Sequence, residues 1–201
     1  EQIRRLERFR PVVLTQGACN LEHYPVEPLY SAENFPPLKK LCNRIWRKTT
    51  NSYPFYKSIL QSENAALIHA HFGYEACRLL ASKKASGLPL LTTFYGADAT
   101  EYPRYPQWRE RYRHLFAAGE LFLAEGGAMA QKLVDLGCPQ DKVRVWRLGV
   151  DIERIECIER SPGERVCFLI CAGFKEKKGI PYALKALAVA QANRPFPYAL
   201  T

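Results

Sequence analysis

The sequence predicts an α/β fold built on a parallel sheet, and two observations carry that prediction. Short apolar runs alternate with segments of helical period, the signature of successive βα units. Most of those runs are nearly continuously apolar, as strands covered on both faces should be. Composition agrees: of 201 residues, 47% are hydrophobic, 24% charged and 12% aromatic, which suits a globular protein and excludes disordered, collagen-like, coiled-coil and low-complexity chains.

Strands are expected at 11–15, 66–71, 90–94, 121–124, 143–147 and 166–172. Between them, 75–86 reads as a helix because Ala76, Leu79, Leu80 and Lys83 fall at i, i+3, i+4 and i+7, with Lys83 at the rim of the apolar stripe. A helix at 128–136 is stopped by Gly137, a residue suited to the left-handed C′ position. One at 181–191 carries Pro181 in its first turn and packs through Leu184, Leu187 and Ala188. The basic segment 107–118 is also read as helical. Residues 18–64 are less regular: Pro25, Pro28, Pro36, Pro37 and Pro54 bracket one helical stretch at 38–48, an excursion from the core. The charged segment 152–164, with a turn at Pro162-Gly163, reads as a linker between a domain at 1–151 and a second one beginning at 165–201.

Lys plus Arg number 29 against 20 Asp plus Glu, a net charge of +9, which favours anionic partners such as phosphates or an acidic lipid surface. The densest groups are 4–10 and 104–113; solvated helix faces are the bland alternative. No nucleic-acid-binding motif accompanies the charge, so nucleic acid is not an expected partner. Seven cysteines, an odd number with no C-x-x-C pair, argue against a disulfide framework or a zinc knuckle. Cys167 and Cys171 lie in an apolar run that reads as a buried strand, which points to a reducing, cytoplasmic setting. No stretch has the roughly 18 apolar residues of a spanning helix, and the opening EQIRRLERFR lacks a signal-peptide core. The chain opens without Met and ends inside a strand-like run at Ala199, Leu200 and Thr201, as expected of a piece of a longer protein.

In open α/β sheets ligands collect beyond the carboxyl ends of the strands, and four loops there could carry chemistry. In His69-Ala-His-Phe-Gly73, His69 and His71 point to one face of a strand. A metal would need a third ligand and none is near in sequence; the alternatives are one buried and one rim His, or His71 lining a cleft that Gly73 lets a ligand approach. In Thr92–Thr100, Tyr95 offers a hydroxyl and Gly96 makes a turn, while Asp98 either accepts from a sugar hydroxyl or caps the following backbone. In the loop Ala124–Leu133, Glu125 precedes the pair Gly126-Gly127, which either exposes backbone N–H groups to an anion or is a plain tight turn. In the fourth, Gly173-Phe-Lys-Glu-Lys177-Lys178-Gly179 leads into a helix and either unites free backbone donors, a flexible residue and a cation for a phosphate, without P-loop spacing, or is a solvated loop of mixed charge.

Taken in order, these loops resemble the family 4 glycosyltransferases of the GT-B fold: a His-x-His-Phe-Gly loop, a Thr-x-Phe-His/Tyr-Gly-x-Asp loop, the segment LVDLGCPQDKVRVWRLGVDIER, and a Gly-Arg-x-x-x-Lys-Lys-Gly-like opening of the second domain. The resemblance runs from about 65 to 190. It implies two Rossmann-like domains, the first binding a glycan or lipid-linked acceptor and the second a nucleotide-sugar donor, with retention of anomeric configuration and no required metal or other cofactor. It implies polysaccharide or cell-envelope biosynthesis in the cytoplasm; together with the charge of +9 it leads to an expected peripheral contact of the basic first domain with an anionic membrane at the inner face of the plasma membrane. The family's first strand would precede Glu1, most of the donor domain with its Glu-x7-Glu region would follow Thr201, and the 201-residue piece alone would be inactive. Carried over by position, Lys178 holds the donor diphosphate with Gly179 and Lys177 beside it, and Gly173 stands where the family usually has Arg. His71, Gly73, Tyr95, Gly96, Asp98, Glu125 and Gly126 match cleft-lining acceptor-side positions, Tyr95 replacing the usual His. No catalytic acid or base is assigned. The two replacements leave a second reading, a nucleotide- or sugar-binding protein without transferase activity.

Overall fold

Every strand pairing in the structure, a computed structural model describing residues 6–53, 55–159, 163 and 165–200, is parallel. Of the positions named above, 4 and 5 in the basic group 4–10, Pro54, 160–162 and 164 in the linker, and Thr201 lie outside those residues. Contacts divide the chain into two compact units, Glu1–Val150 and Asp151–Thr201.

The first unit centres on a four-stranded sheet of β3 (Ile68–His71), β4 (Leu90–Phe94), β5 (Leu121–Ala124) and β6 (Val143–Val145), in that order. Strands β1 (Val13–Thr15) and β2 (Leu29–Ser31) form a separate parallel pair, followed by α1 (Pro37–Thr50) and α2 (Tyr56–Ser62). The crossovers are α3 (Gly73–Ser86), then α4 (Ala97–Thr100) with α5 (Pro106–Ala118), and α6 (Gly127–Asp135). One sheet face buries Ile68, Ala70, Leu90, Phe94, Phe122 and Ala124 against Ala76, Leu79, Tyr112, Leu115, Phe116 and Leu133. The rings meet edge to face, Phe94 on Tyr112 at 5.8 Å and Phe116 on Phe122 at 5.2 Å, and each buried Leu, Ile or Phe side chain contributes roughly 1.5–3 kcal/mol. Helix α3 ends at Gly87 in the left-handed region, φ +74°, whose N–H donates to the Lys83 carbonyl. Helix α5 starts with Pro106, which needs no N–H partner there.

The segment following α6 turns out to be a structural clasp. Gly137 takes φ +96°, Cys138 is buried, and Lys142 Nζ donates to the carbonyls of Phe116, Ala117 and Gly119 at 3.1, 3.3 and 2.9 Å, closing the end of α5. Burial pushes the Cys138 and Cys77 thiols up to about 12. Strand β6 stops at Val145, two residues earlier than expected, after Trp146 N–H donates to the Ala124 carbonyl and the partner strand ends.

The second unit contains β7 (Val166–Phe168), α7 (Ile180–Asn193) and β8 (Tyr198–Leu200). The expectation of a buried strand at 166–172 is corrected here: β7 has three residues, and Cys167 and Cys171 are exposed. Among the described residues of this unit β7 has one ladder partner, β8, and one helix, too few layers to cover both its faces. No helix of the described residues is long and apolar enough to cross a membrane.

Candidate functional site

Three of the four loops converge at the carboxyl ends of β3, β4 and β5. Because side chains alternate along a strand, His69 and His71 leave the packed core and share the opposite sheet face, their rings stacked at 4.5 Å. His69 Nε2 lies 2.8 Å from Thr93 Oγ1, and His71 Nδ1 lies 2.5 Å from the Tyr95 hydroxyl. Thr93 and Tyr95 are two apart along the β4 direction, so the same alternation sets them opposite the two imidazoles. Both imidazoles are depressed below the ordinary histidine range, chiefly by burial; the neighbouring His71 also acts on His69. Burial chiefly raises the Tyr95 hydroxyl, against a lowering hydrogen bond with Thr93, and the Glu125 and Asp98 carboxylates raise it further; the third loop leaves the sheet beside the second because Phe94 pairs with Ala124. At neutral pH this row is uncharged imidazole and phenol, able to donate and accept hydrogen bonds.

Asp98 builds the site from behind. It is fully buried, and its carboxylate accepts from Gly73 N at 3.0 Å, Gly96 N at 2.9 Å and Tyr95 N at 3.1 Å, while its own carbonyl accepts from Tyr112 Oη at 2.6 Å. The assignment of Asp98 to the cleft wall is therefore corrected: of the two roles open to it, the geometry realises the cap, and that cap pins the β3 loop to the β4 loop. Gly73 is corrected likewise. A Cβ there would stand 2.2 Å from Phe94 Cε1 and 3.0 Å from Tyr112 Oη, so its glycine is required by the packed core rather than by an approaching ligand. Gly96 is required by backbone conformation, φ +137°.

Gly126 and Gly127 differ from both. Gly126 is extended, neither glycine has a positive φ, and a Cβ on either would meet nothing within 4 Å. Conformation and packing within this unit leave both glycines unexplained, and the space before α6 stays open.

Sequence reasoning missed Phe72. It takes φ +75° and ψ 134°, a conformation costly for an aromatic residue, while its N–H continues the ladder to the Thr93 carbonyl. This twist turns its ring onto Tyr95 at 4.8 Å and Tyr74 at 5.4 Å, an exposed aromatic edge beside the imidazole row. Nothing in the sequence signals that twist. Thr93 was missed too, although its period-two relation to Tyr95 was visible. Among the described residues no three His, Cys, Asp or Glu side chains gather as a metal site.

The fourth loop belongs to the second unit. Gly179 takes φ +69° at the start of α7, and a 3₁₀ turn, Glu176–Lys178, precedes it. The expectation of free backbone donors is corrected at two positions: Lys178 N–H donates to the Lys175 carbonyl at 2.9 Å and Gly179 N–H to the Glu176 carbonyl at 2.9 Å. What the loop presents is the positive start of a 14-residue helix and the exposed Lys177 and Lys178 side chains. A Cβ on Gly173 would meet nothing within 4 Å.

The family model described as Glycosyltransferase Family 4 matches residues 2–154. This chain belongs to glycosyltransferase family 4. Two curated relatives agree: the amylovoran biosynthesis glycosyltransferase AmsK of Erwinia amylovora is 31% identical over 129 residues, 62% of this chain and 31% of that protein. WcaL of Salmonella typhimurium strain LT2, named as a candidate colanic acid biosynthesis glycosyltransferase, is 30% identical over 120 residues, 58% of this chain and 30% of its own. The matched segment thus spans about a third of the length of these relatives. Among solved structures, the S. aureus MnaA–UDP complex superposes with a TM-score of 0.54 at 14% identity, covering 98% of this chain and 56% of that one; at such identity the likeness concerns the fold alone. The α/β class with its parallel sheet, and membership of the family, are as the sequence predicts.

Proposed function

We propose that the full-length protein is a retaining glycosyltransferase of polysaccharide or cell-envelope biosynthesis. It moves a sugar from a nucleotide-sugar donor to a glycan or lipid-linked acceptor at the cytoplasmic face of the plasma membrane, and needs no metal. The observation that carries this reading is the family match across residues 2–154, supported by curated relatives that act in polysaccharide biosynthesis. In this reading acceptor hydroxyls meet the uncharged row of His71 and Tyr95, with Glu125 beside them and the open backbone of Gly126 admitting the substrate closely. Lys178, assisted by Lys177 and the start of α7, neutralises the diphosphate as the bond to the sugar breaks.

The test is a donor screen on the full-length protein, following nucleoside diphosphate release with and without Lys178→Ala. Release confined to one donor and lowered at least tenfold by the substitution, about 1.4 kcal/mol of lost transition-state stabilisation, supports the proposal. Release from the screen that is unchanged in the variant removes Lys178 from the phosphate site. One observation favours a second reading, binding without transfer: Gly173 replaces a phosphate-binding Arg expected from the family resemblance. Since Gly173 has open space around it, Gly173→Arg is a clean variant; donor binding by calorimetry with no turnover before or after it gives the second reading.

A further inference from the structure

Helix α1 carries its amphipathic pattern inside out. Lys39, Asn43 and Arg47, spaced i, i+4, i+8, face the body of the first unit. Asn43 is buried, Asn43 Nδ2 and Arg47 Nη1 donate to Gln16 Oε1 at 3.2 and 3.0 Å, and Lys39 Nζ sits over the Phe35 and Phe55 rings at 4.2 and 4.7 Å. The apolar residues Leu38, Leu41, Cys42, Ile45 and Trp46 fall at i, i+3, i+4, i+7 and i+8, and all five are exposed, Leu38 at 73% and Ile45 at 53%. Along one edge of this stripe run Lys40, Arg44 and Lys48, again at i, i+4, i+8 and exposed. The helix, Pro37–Thr50, contains five basic residues and no acidic one.

We propose that α1 is the element by which this protein lies on an anionic membrane surface. The stripe from Leu38 to Trp46 enters the headgroup boundary, and Lys40, Arg44 and Lys48 meet lipid phosphates. The charge pattern selects the occupant. An apolar stripe alone would suit any hydrophobic partner, whereas a cationic row along its margin, on a helix free of acids, complements a negatively charged lipid interface. Trp46, with its indole N–H held by Ser52 Oγ at 3.0 Å, presents the amphipathic ring favoured at that depth. This deepens the membrane-facing part of the proposed function, yet it rests on α1 and is measured without donor or transfer.

The experiment is co-sedimentation of the full-length protein with vesicles of phosphatidylcholine alone or mixed equally with phosphatidylglycerol. At low salt we expect at least tenfold stronger partition into the anionic vesicles. The triple variant Lys40→Glu, Arg44→Glu, Lys48→Glu should lose on the order of a hundredfold, at roughly fivefold per cation. Leu41→Gln with Ile45→Gln should lose about tenfold. Both variants alter exposed side chains, and circular dichroism checks that they fold. Brominated lipid should quench tryptophan emission in the parent protein and less in Trp46→Phe. Equal partition of the parent into both vesicles, or variants that bind as the parent does, would overturn the proposal. So would a dimer that dissociates in the Leu41, Ile45 variant without any vesicle binding, which gives the stripe to a second copy. A monomer that ignores vesicles and shields Trp46 from acrylamide would give it to the protein's own chain. Vesicle binding without nucleotide release sinks the transferase reading alone, and release without vesicle binding sinks this one alone.

Discussion

Replacing Asp98 by Asn changes one atom at the point where two site loops meet. The carboxylate accepts three backbone N–H groups, from Gly73, Tyr95 and Gly96, and an amide can accept on one side only. If its oxygen stays on the Tyr95 and Gly96 side, its NH₂ faces the Gly73 N–H, two donors confront each other, and one buried donor is left unpaired at about 1–3 kcal/mol. The two surviving bonds also lose their charge assistance, about 1 kcal/mol together. The sum is about 3 kcal/mol, which is on the order of a hundredfold in the equilibrium for local opening. Amide hydrogen exchange at Gly73, Tyr95 and Gly96 reads this directly, and all three should accelerate together while amides in β5 stay protected. Acceleration below tenfold would refute the clamp. Unchanged exchange accompanied by a raised acceptor KM would return Asp98 to the cleft wall as a ligand.

Two further predictions follow from the same geometry. Gly73→Ala should destabilise by roughly 1–3 kcal/mol through its overlap with the Phe94 ring, whereas Gly126→Ala, with ordinary φ and nothing nearby, should leave thermal unfolding unchanged and raise a substrate KM; equal melting shifts in the two variants would contradict the distinction. For the imidazoles, NMR titration should place both His69 and His71 midpoints below 6.5, with His69 the lower, depressed toward about 4. Because the folded values lie below the unfolded ones, the unfolded chain takes up protons first as pH falls, so stability present above 6.5 is lost on acidification through that range. A midpoint above 6.5 for either ring would show that a carboxylate, not burial, governs it.

The sheet was legible because its signal is carried by burial itself. Leu90–Phe94 and Leu121–Ala124 are where the apolar runs place them, and α3, α5, α6 and α7 begin or end at Pro106, Pro181, Gly87 or Gly137 within two residues of expectation. Strand β2 (Leu29–Ser31) and helix α2 (Tyr56–Ser62) were not legible, since three residues among prolines carry no periodicity and one turn of Tyr56, Ile59 and Leu60 is too short to declare one. At the site, spacing correctly put His69 and His71 on one face. It could not show that Asp98 points inward, because an aspartate two residues after a glycine turn reads the same whether it caps or binds.

The positions set against the family pattern, matches and the departures Tyr95 and Gly173 alike, divide by what they answer to. Gly73, Asp98, Gly137 and Lys142 are engaged within the unit: by the Phe94 ring, by three backbone donors, by a left-handed turn and by the end of α5. Such residues would be retained by any protein needing these loops held in these positions, whatever it bound. His71, Tyr95, Gly126 and Gly173 have no comparable internal demand: the first two satisfy each other on an open face, and the two glycines stand in front of empty space. A function inferred from the first group would be an inference about folding. The case for ligand chemistry therefore rests on the second group, and substitutions there should move substrate parameters while leaving the sheet intact, the reverse of what Asp98→Asn and Gly73→Ala should do.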